Sequence, residues 1–272
     1  MSGSIRVEAG LLPATAERAA QPRPDIAVVI LSNPGRLNAL DRAMWQGLRD
    51  TLRALSEDDG LRCIVLRGEG ETAFAAGADI AEFASERDNA AQGKVYGELI
   101  HDSMQAIAQC RHPTLAMIHG ACVGGGLEIA ASCDLRICGR SSRFGVPVNK
   151  LGLVMGYGEM QGLLQLAGRA TALEIVLEGR VFTAEEALAK GLVTRVVDDA
   201  RVTAEAMAAA CRIADGAPLV ARWHKQFINR LGDARPLRPE EIAQGYACYD
   251  TQDYRTGRAA FLNKTKPNFE GH

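Results

Sequence analysis

Four short apolar runs, IAVVIL (26–31), RCIVLRG (62–68), TLAMIHG (114–120) and LRICG (135–139), are spread over the first two thirds of the chain and end in glycine or turn residues. Each is too short for a free-standing helix and nearly all apolar, the pattern of a strand buried on both faces. Between them, residues 41–55 (DRAMWQGLRDTLRAL) carry apolar side chains at helical spacing behind an aspartate N-cap, and residues 94–110 repeat that character. The rhythm predicts an α/β fold with helices packed on a mainly parallel sheet.

After residue 197 the composition shifts to Ala-rich helical segments at 201–215, 217–231 and 253–263, with the stretch RPLRPEE ahead of the last. A helical section of about 70 residues is small for a core of its own. The chain therefore divides into a core at 1–200 and a helical section at 201–272 that docks on that core or on a neighbouring subunit.

The stretch HGACVGGGLEIAA (119–131) joins two costly features. Three consecutive glycines give up more conformational freedom on folding than other residues would. Glu128 then follows inside an apolar run, where Leu127, Ile129, Ala130 and Ala131 leave it little polar face. Its carboxylate is expected at a cavity beside a helix start near residue 124. Backbone N–H groups at such a start have no intrahelical acceptor and lie at the positive end of the helix dipole. A tight helix–sheet crossing that needs small residues accounts for the glycines equally well. A second stretch, ETAFAAGADIAEF (71–83), again leads from a strand end through Gly77, Ala78 and Asp79 into a helix that Asp79 is placed to cap. Two such loops are compatible with paired donors aimed at one oxygen.

Other functions are disfavoured. The glycine order is not GxGxxG, and no GxxxxGK followed by Ser or Thr occurs, so dinucleotide and nucleoside triphosphate loops have little or no support. The formal net charge is −2, from 31 basic and 33 acidic side chains with no long block of one sign, so nucleic acid is not expected as a partner. No apolar run approaches the roughly 20 residues of a membrane span. The N-terminal MSGSIRVEAGLLPATAERAAQPRPDIAVV lacks the basic start and apolar core of a secretory leader. The seven cysteines are scattered without a CxxC pair, and the five histidines share no spacing, so reduced thiols, no metal and a cytoplasmic location are expected. His119, beside the glycine run, reads as packing.

AFAAGADI, HGACVGGGLEIAASCDLRI and FGVPVNKLGL, in that order, resemble the crotonase (enoyl-CoA hydratase/isomerase) superfamily, and the likeness extends from residue 26 through GLVTRVV to AFLNKTKPNF. The resemblance implies a crotonase-like spiral of β-β-α units, then helices used in trimer formation, with trimers often paired as hexamers. It implies an acyl-CoA thioester as substrate, coenzyme A being part of that substrate and no separate cofactor being needed. The thioester oxygen would sit between the backbone N–H groups of Ala78 and Gly125, with Glu128 facing the neighbouring carbons. In hydratases of the family the counterpart of Glu128 activates water for attack on the β carbon, while a second glutamate handles the α-carbon proton. The resemblance also places Arg36, in NPGRLNALD, where it could meet a phosphate of CoA. Ala76 and Asp79 fall along the substrate, and Phe261 and Lys264 match CoA contacts often supplied by a neighbouring subunit.

The chain departs from the family where the second glutamate should stand. That residue follows the proline of FGxPx, and here it is Val148; the next residue, Asn149, is no acid at neutral pH. Glu159, in MGYGEMQ, is the candidate relocated acid or base, an ordinary helix-start glutamate being the alternative. Tyr246, Tyr249 and Tyr254 are more remote candidates. Two classes of function remain open. One is a hydratase-like enzyme working through an oxyanion-stabilised enolate, with an isomerase, decarboxylase or thioester hydrolase relying on Glu128 alone as its competitor. The other is a non-catalytic acyl-CoA binding protein. A pure binder gains nothing from a desolvated carboxylate, which favours the enzyme.

Overall fold

A computed structural model of the protein describes residues 3–12, 14 and 19–272. Residues 1–2, 13 and 15–18, part of the N-terminal stretch read for a leader, lie outside that description. The strands are β1 (Ser4–Leu12), β2 (Gln21–Ser32), β3 (Cys63–Gly68), β4 (Ala73–Ala75), β5 (Thr114–Ile118), β6 (Ala121–Val123), β7 (Leu135–Gly139), β8 (Arg143–Gly145), β9 (Phe182–Thr183) and β10 (Arg195–Val197). The helices are α1 (Arg42–Glu57), α2 (Phe83–Glu86), α3 (Ala90–Ala108), α4 (Gly125–Ser132), α5 (Tyr157–Glu178), α6 (Ala184–Ala189), α7 (Val202–Ala214), α8 (Pro218–Leu231), α9 (Pro239–Gln244) and α10 (Gln252–Asn263).

Among the described residues the strands form a six-stranded sheet, β1-β2-β3-β5-β7-β10, and a four-stranded sheet, β4-β6-β8-β9. Neighbours are parallel except at one edge of each sheet, where β1 runs against β2 and β9 against β8. Successive turns of chain give β3, β5 and β7 to the large sheet and β4, β6 and β8 to the small one. Each pair is followed by helix: α2 with α3, then α4, then α5. That is a β-β-α spiral.

Side-chain alternation along the strands builds the core on both faces of the large sheet. Ala27, Val29, Leu31, Ile64, Leu66, Ala116 and Ile118 pack with Trp45 and Leu48 of α1, Tyr96 and Ile100 of α3 and Leu127 of α4. The intervening Ile26, Val28, Ile30, Val65, Leu115 and Met117 pack with Val202, Ala206, Met207 and Ala210 of α7. The change of composition near residue 200 thus precedes a helix that closes the second face of the sheet.

Asp41 caps α1 by accepting the Met44 N–H at 2.8 Å. Helix α3 starts at Ala90, ahead of the expected residue 94, because Asn89 caps it through the N–H groups of Ala91 and Gln92, each at 3.1 Å. Strand β1 was not anticipated. Its signal is the alternation of Ile5, Val7, Ala9 and Leu11, diluted because an edge strand leaves Val7 and Leu11 exposed.

Candidate active site

Strands β4, β6 and β8 are parallel neighbours, so their carboxyl ends lie on one side of the small sheet, where α/β folds place ligand crevices. The three turns that follow them wall one cleft of about 120 Å³, with Trp45 and Ile100 completing it. Ala76, Gly77 and Ala78 come from the first turn; Gly124, Gly125 and Glu128 from the second; Val148, Met155 and Glu159 from the third.

The first two turns meet backbone to backbone. Gly77 adopts φ 104°, and a Cβ there would lie 3.3 Å from the Val123 oxygen and 3.5 Å from the Gly125 nitrogen, so only glycine closes the junction without strain. Leu40 locks the turn: its N–H donates to the Gly77 oxygen and its oxygen accepts from the Asp79 N–H, both at 2.8 Å. These bonds leave the Ala78 N–H without an acceptor among the described residues. Gly125 is the first residue of α4, so its N–H has no intrahelical acceptor either. The touching turns therefore bring two unspent backbone donors to one cleft. The alternative explanation of the glycines also holds, at a different position. A Cβ on Gly126 would fall 2.1 Å from the Ala75 oxygen, so that residue serves the tight crossing of α4 over β4.

Glu128 is 6% exposed. No described group hydrogen-bonds its carboxyl, and the Ser132 hydroxyl donates to its backbone oxygen at 2.9 Å. Burial pushes the carboxyl well above the usual carboxylate range; the Glu159 charge raises it further, and the Arg87 guanidinium opposes both. Glu159 stands in the first turn of α5, where its Oε2 accepts the Gly156 N–H at 2.7 Å. It is half-buried, and the structure brings it to the same cleft as Glu128. The carboxyl that shares the cleft with Glu128 is thus on α5 rather than after Pro147. Val148 lines the cleft with a hydrocarbon side chain, and Asn149 is turned away to donate to the Leu177 oxygen at 2.8 Å.

Arg36 and Asp79 are spent on each other. Arg36 Nη1 donates to both Asp79 oxygens, at 2.5 and 2.7 Å, and Asp79 also accepts the Ala81 N–H at 3.0 Å as a helix cap. Neither lines the cleft wall. Phe261 is 85% exposed near the end of α10, Lys264 caps that helix in the left-handed region, and neither lines the cleft. Tyr246, Tyr249 and Tyr254 are likewise exposed, the last two packed edge to face at 5.1 Å. His119 is buried outside the cleft, and Cys63, Cys110, Cys122, Cys133, Cys138 and Cys248 are free thiols. Among the described residues no cluster of His, Cys, Asp or Glu is placed to hold a metal ion, and no helix is long and apolar enough to cross a membrane.

Sequence reasoning missed Arg87. It follows the four-residue α2, stacks its guanidinium 4.7 Å from the Phe83 ring centroid and 5.0 Å from that of Tyr96, and lines the cleft. A lone arginine beyond a short helix carries no periodic signal; only the way the chain leaves α2 reveals its destination.

Spiral topology and a cleft of free N–H groups and carboxyls at the strand ends together define an α/β protein built to bind a polar group beside a buried acid. Residues 22–272 match the family model described as enoyl-CoA hydratase/isomerase, and the chain belongs to that family. It is similar to a solved enoyl-CoA hydratase/carnithine racemase from Magnetospirillum magneticum, 47% identical, covering 93% of this chain and 95% of that one, with a TM-score of 0.90. It is 32% identical over 247 residues to the crotonyl-CoA hydratase of Syntrophomonas wolfei, covering 90% of this chain and 94% of that protein. The short-chain-enoyl-CoA hydratase of Clostridium acetobutylicum is 32% identical over 246 residues, covering 89% of this chain and 92% of that protein.

Proposed function

We propose that this chain hydrates 2-enoyl-CoA thioesters with Glu128 and Glu159 as its two carboxyl groups. Membership of the family makes it an acyl-CoA-processing, hydratase-like enzyme. The observation that carries the finer reading is the presence of both glutamates in the cleft that Ala78 and Gly125 border. The two N–H groups would hold the thioester oxygen and stabilise the enolate formed when the β carbon is attacked. Glu128 would take the proton of the attacking water. A carboxyl with raised proton affinity is, once ionised, a stronger base near neutrality than an ordinary carboxylate. In the reactive microstate the single proton of the pair would sit on Glu159, which delivers it to the α carbon while ionised Glu128 takes one from water. Water thus adds across the double bond, and the proton passes back from Glu128 to Glu159 through solvent. Arg36, Asp79, Ala76, Phe261 and Lys264 would serve the CoA moiety, the last two toward a neighbouring subunit.

One observation favours a second reading, in which Glu128 works alone as an isomerase. Glu159 is braced by the Gly156 N–H, and that bond is a sufficient structural reason for a glutamate at the start of α5.

The assembly belongs to the same proposal: a homotrimer, or a pair of trimers. Ile228 and Leu231 of α8 and Phe261 and Leu262 of α10 are exposed apolar side chains, more than a monomer's surface needs. A cytoplasmic location is supported by buried thiols without disulfides.

The test is hydration of crotonyl-CoA, followed by loss of enoyl absorbance and by the mass of one added water. Wild-type protein should hydrate, and Glu128→Gln should abolish turnover while still binding the thioester. Wild-type rates in Glu128→Gln would refute the assignment. Exchange of the α proton without added water would select the isomerase.

A further inference from the structure

Arg87 is the one cation among the described residues that line the cleft, and no carboxylate among the described residues forms an ion pair with it. Its backbone N–H donates to the Phe83 oxygen at 2.9 Å, which turns the chain at the end of α2 and lays the guanidinium against the rings of Phe83 and Tyr96. Tyr96 is fully buried, so one face of the stack is fixed in the core.

The acids around it have other partners. Glu86 accepts from Arg42 Nη1 at 2.5 Å, and Glu82 accepts the Arg42 N–H at 2.7 Å. Asp79 holds Arg36, and Glu159 holds the Gly156 N–H. Glu128 is near enough to feel the Arg87 charge, yet the two form no ion pair. Among the described residues the guanidinium is thus oriented by aromatic contacts, and its fork of N–H donors is unspent.

Arg87 is half-buried, so water meets these donors until the cleft is filled. Apart from the two glutamates and the backbone donors of Ala78 and Gly125, the cleft wall is largely hydrocarbon, with Ile80, Phe83, Ile100, Val148, Leu153 and Met155 among its side chains. An unbranched hydrocarbon acyl group would press against an unpaired guanidinium and cut it further from water, with nothing returned. A carboxylate at the far end of the acyl group would meet the fork with two charge-assisted hydrogen bonds.

Building on the acyl-thioester reading above, we infer that the acyl group this enzyme prefers carries a second carboxylate, remote from the thioester, and that Arg87 is the specificity-determining residue that receives it.

The experiment compares glutaconyl-CoA, a 2-enoyl thioester ending in a carboxylate, with 2-pentenoyl-CoA, which has the same chain length and a methyl end. Both are assayed with wild type, Arg87→Met and Arg87→Lys. Methionine keeps an apolar contact with the rings, and lysine keeps the charge while losing the fork. Wild type should favour glutaconyl-CoA in kcat/KM. Arg87→Met should lower that preference by about 10–100-fold, the range expected for hydrogen bonds to a charged group, with Arg87→Lys in between. A wild type that favours pentenoyl-CoA overturns the inference. So does an Arg87→Met that depresses both substrates alike while displacing the pH–rate profile, since Arg87 would then serve only to tune Glu128.

Calorimetry with the unreactive glutaryl-CoA and valeryl-CoA separates the two levels of failure. Equal affinities that Arg87→Met does not alter sink the role of Arg87 and leave the thioester reading standing. If wild type binds neither, both readings fall together.

Discussion

The Glu128 carboxyl on α4 and the Glu159 carboxylate at the start of α5 line one cleft from different helices, and the charge of Glu159 adds to burial in raising the proton affinity of Glu128. A pair of this kind costs stability in order to hold two acids where water is scarce.

That cost has a sign that can be measured. Glu128 ionises above its ordinary value of 4.5 in the folded protein. From 4.5 up to the raised value the folded state therefore holds a proton that the unfolded chain has lost, and stability falls as pH rises. Glu128→Gln has no such proton to lose. Thermal or urea unfolding should find the variant more stable than wild type at about pH 8, with the difference closing by about pH 4. A variant no more stable than wild type at the higher pH would show that the carboxyl is not strained by its burial.

His112 should act in the opposite sense. It is buried, and desolvation together with the charges of Arg222 and Arg111 lowers its pKa from 6.5 to about 4. The stability it contributes is present above 6.5 and is lost as pH falls from there through about 4, because the unfolded chain takes the proton first. A His112→Phe variant should flatten the acid side of the stability profile between those limits; an unchanged slope would mean that other groups govern acid unfolding.

Arg36 tests the CoA end. Its ion pair with Asp79 is open to solvent on the arginine side and should contribute only about 1 kcal/mol to folding. Arg36→Gln is therefore expected to leave the melting temperature nearly unaltered. If Arg36 exchanges Asp79 for a phosphate, the substitution should raise KM for CoA thioesters and leave KM for short pantetheine-type thioesters, which lack the nucleotide, as it was. Equal effects on both thioesters would place Arg36 elsewhere in the reaction, and no effect on either would leave it a surface ion pair.

Features fixed by short-range chemistry were legible in the chain. Asp41 could be read as a cap because an N-cap needs only the following turn, and the run at 26–31 as a strand because a strand covered on both faces has no polar positions. The glycines and Glu128 were legible as a site because each is expensive anywhere else. Strands β4, β6 and β8, at three residues each, are too short to show a period, so the small sheet that aligns the three turns was not visible. The absence of a carboxylate at Val148 could be read directly. Glu159 could be named as a candidate replacement but not chosen over an ordinary helix-start glutamate, because its reach into the cleft depends on how the 147–156 segment delivers the start of α5. Arg87 was hidden for the same reason.

The proposed role of Glu159 as the second carboxylate gives the sharpest test. Glu159→Gln removes the acid but keeps an oxygen that can still accept the Gly156 N–H, so the start of α5 should hold and the melting temperature should change little. If Glu159 serves the α carbon, hydration should fall by about 10²–10⁴-fold, the usual contribution of a general acid or base. Val148 already lines the cleft, so a glutamate there is positioned to stand in for the lost group. In wild type, Val148→Glu would put a third carboxyl beside two others, and like charges in one pocket oppose one another's ionisation. Its benefit should therefore appear mainly in the Glu159→Gln background, where Val148→Glu is expected to recover hydration at least about tenfold. The non-additivity of the two substitutions is the signature to look for. If Glu159→Gln hydrates crotonyl-CoA as wild type does, then Glu159 is only the brace of α5, and the chemistry of this cleft belongs to Glu128 alone.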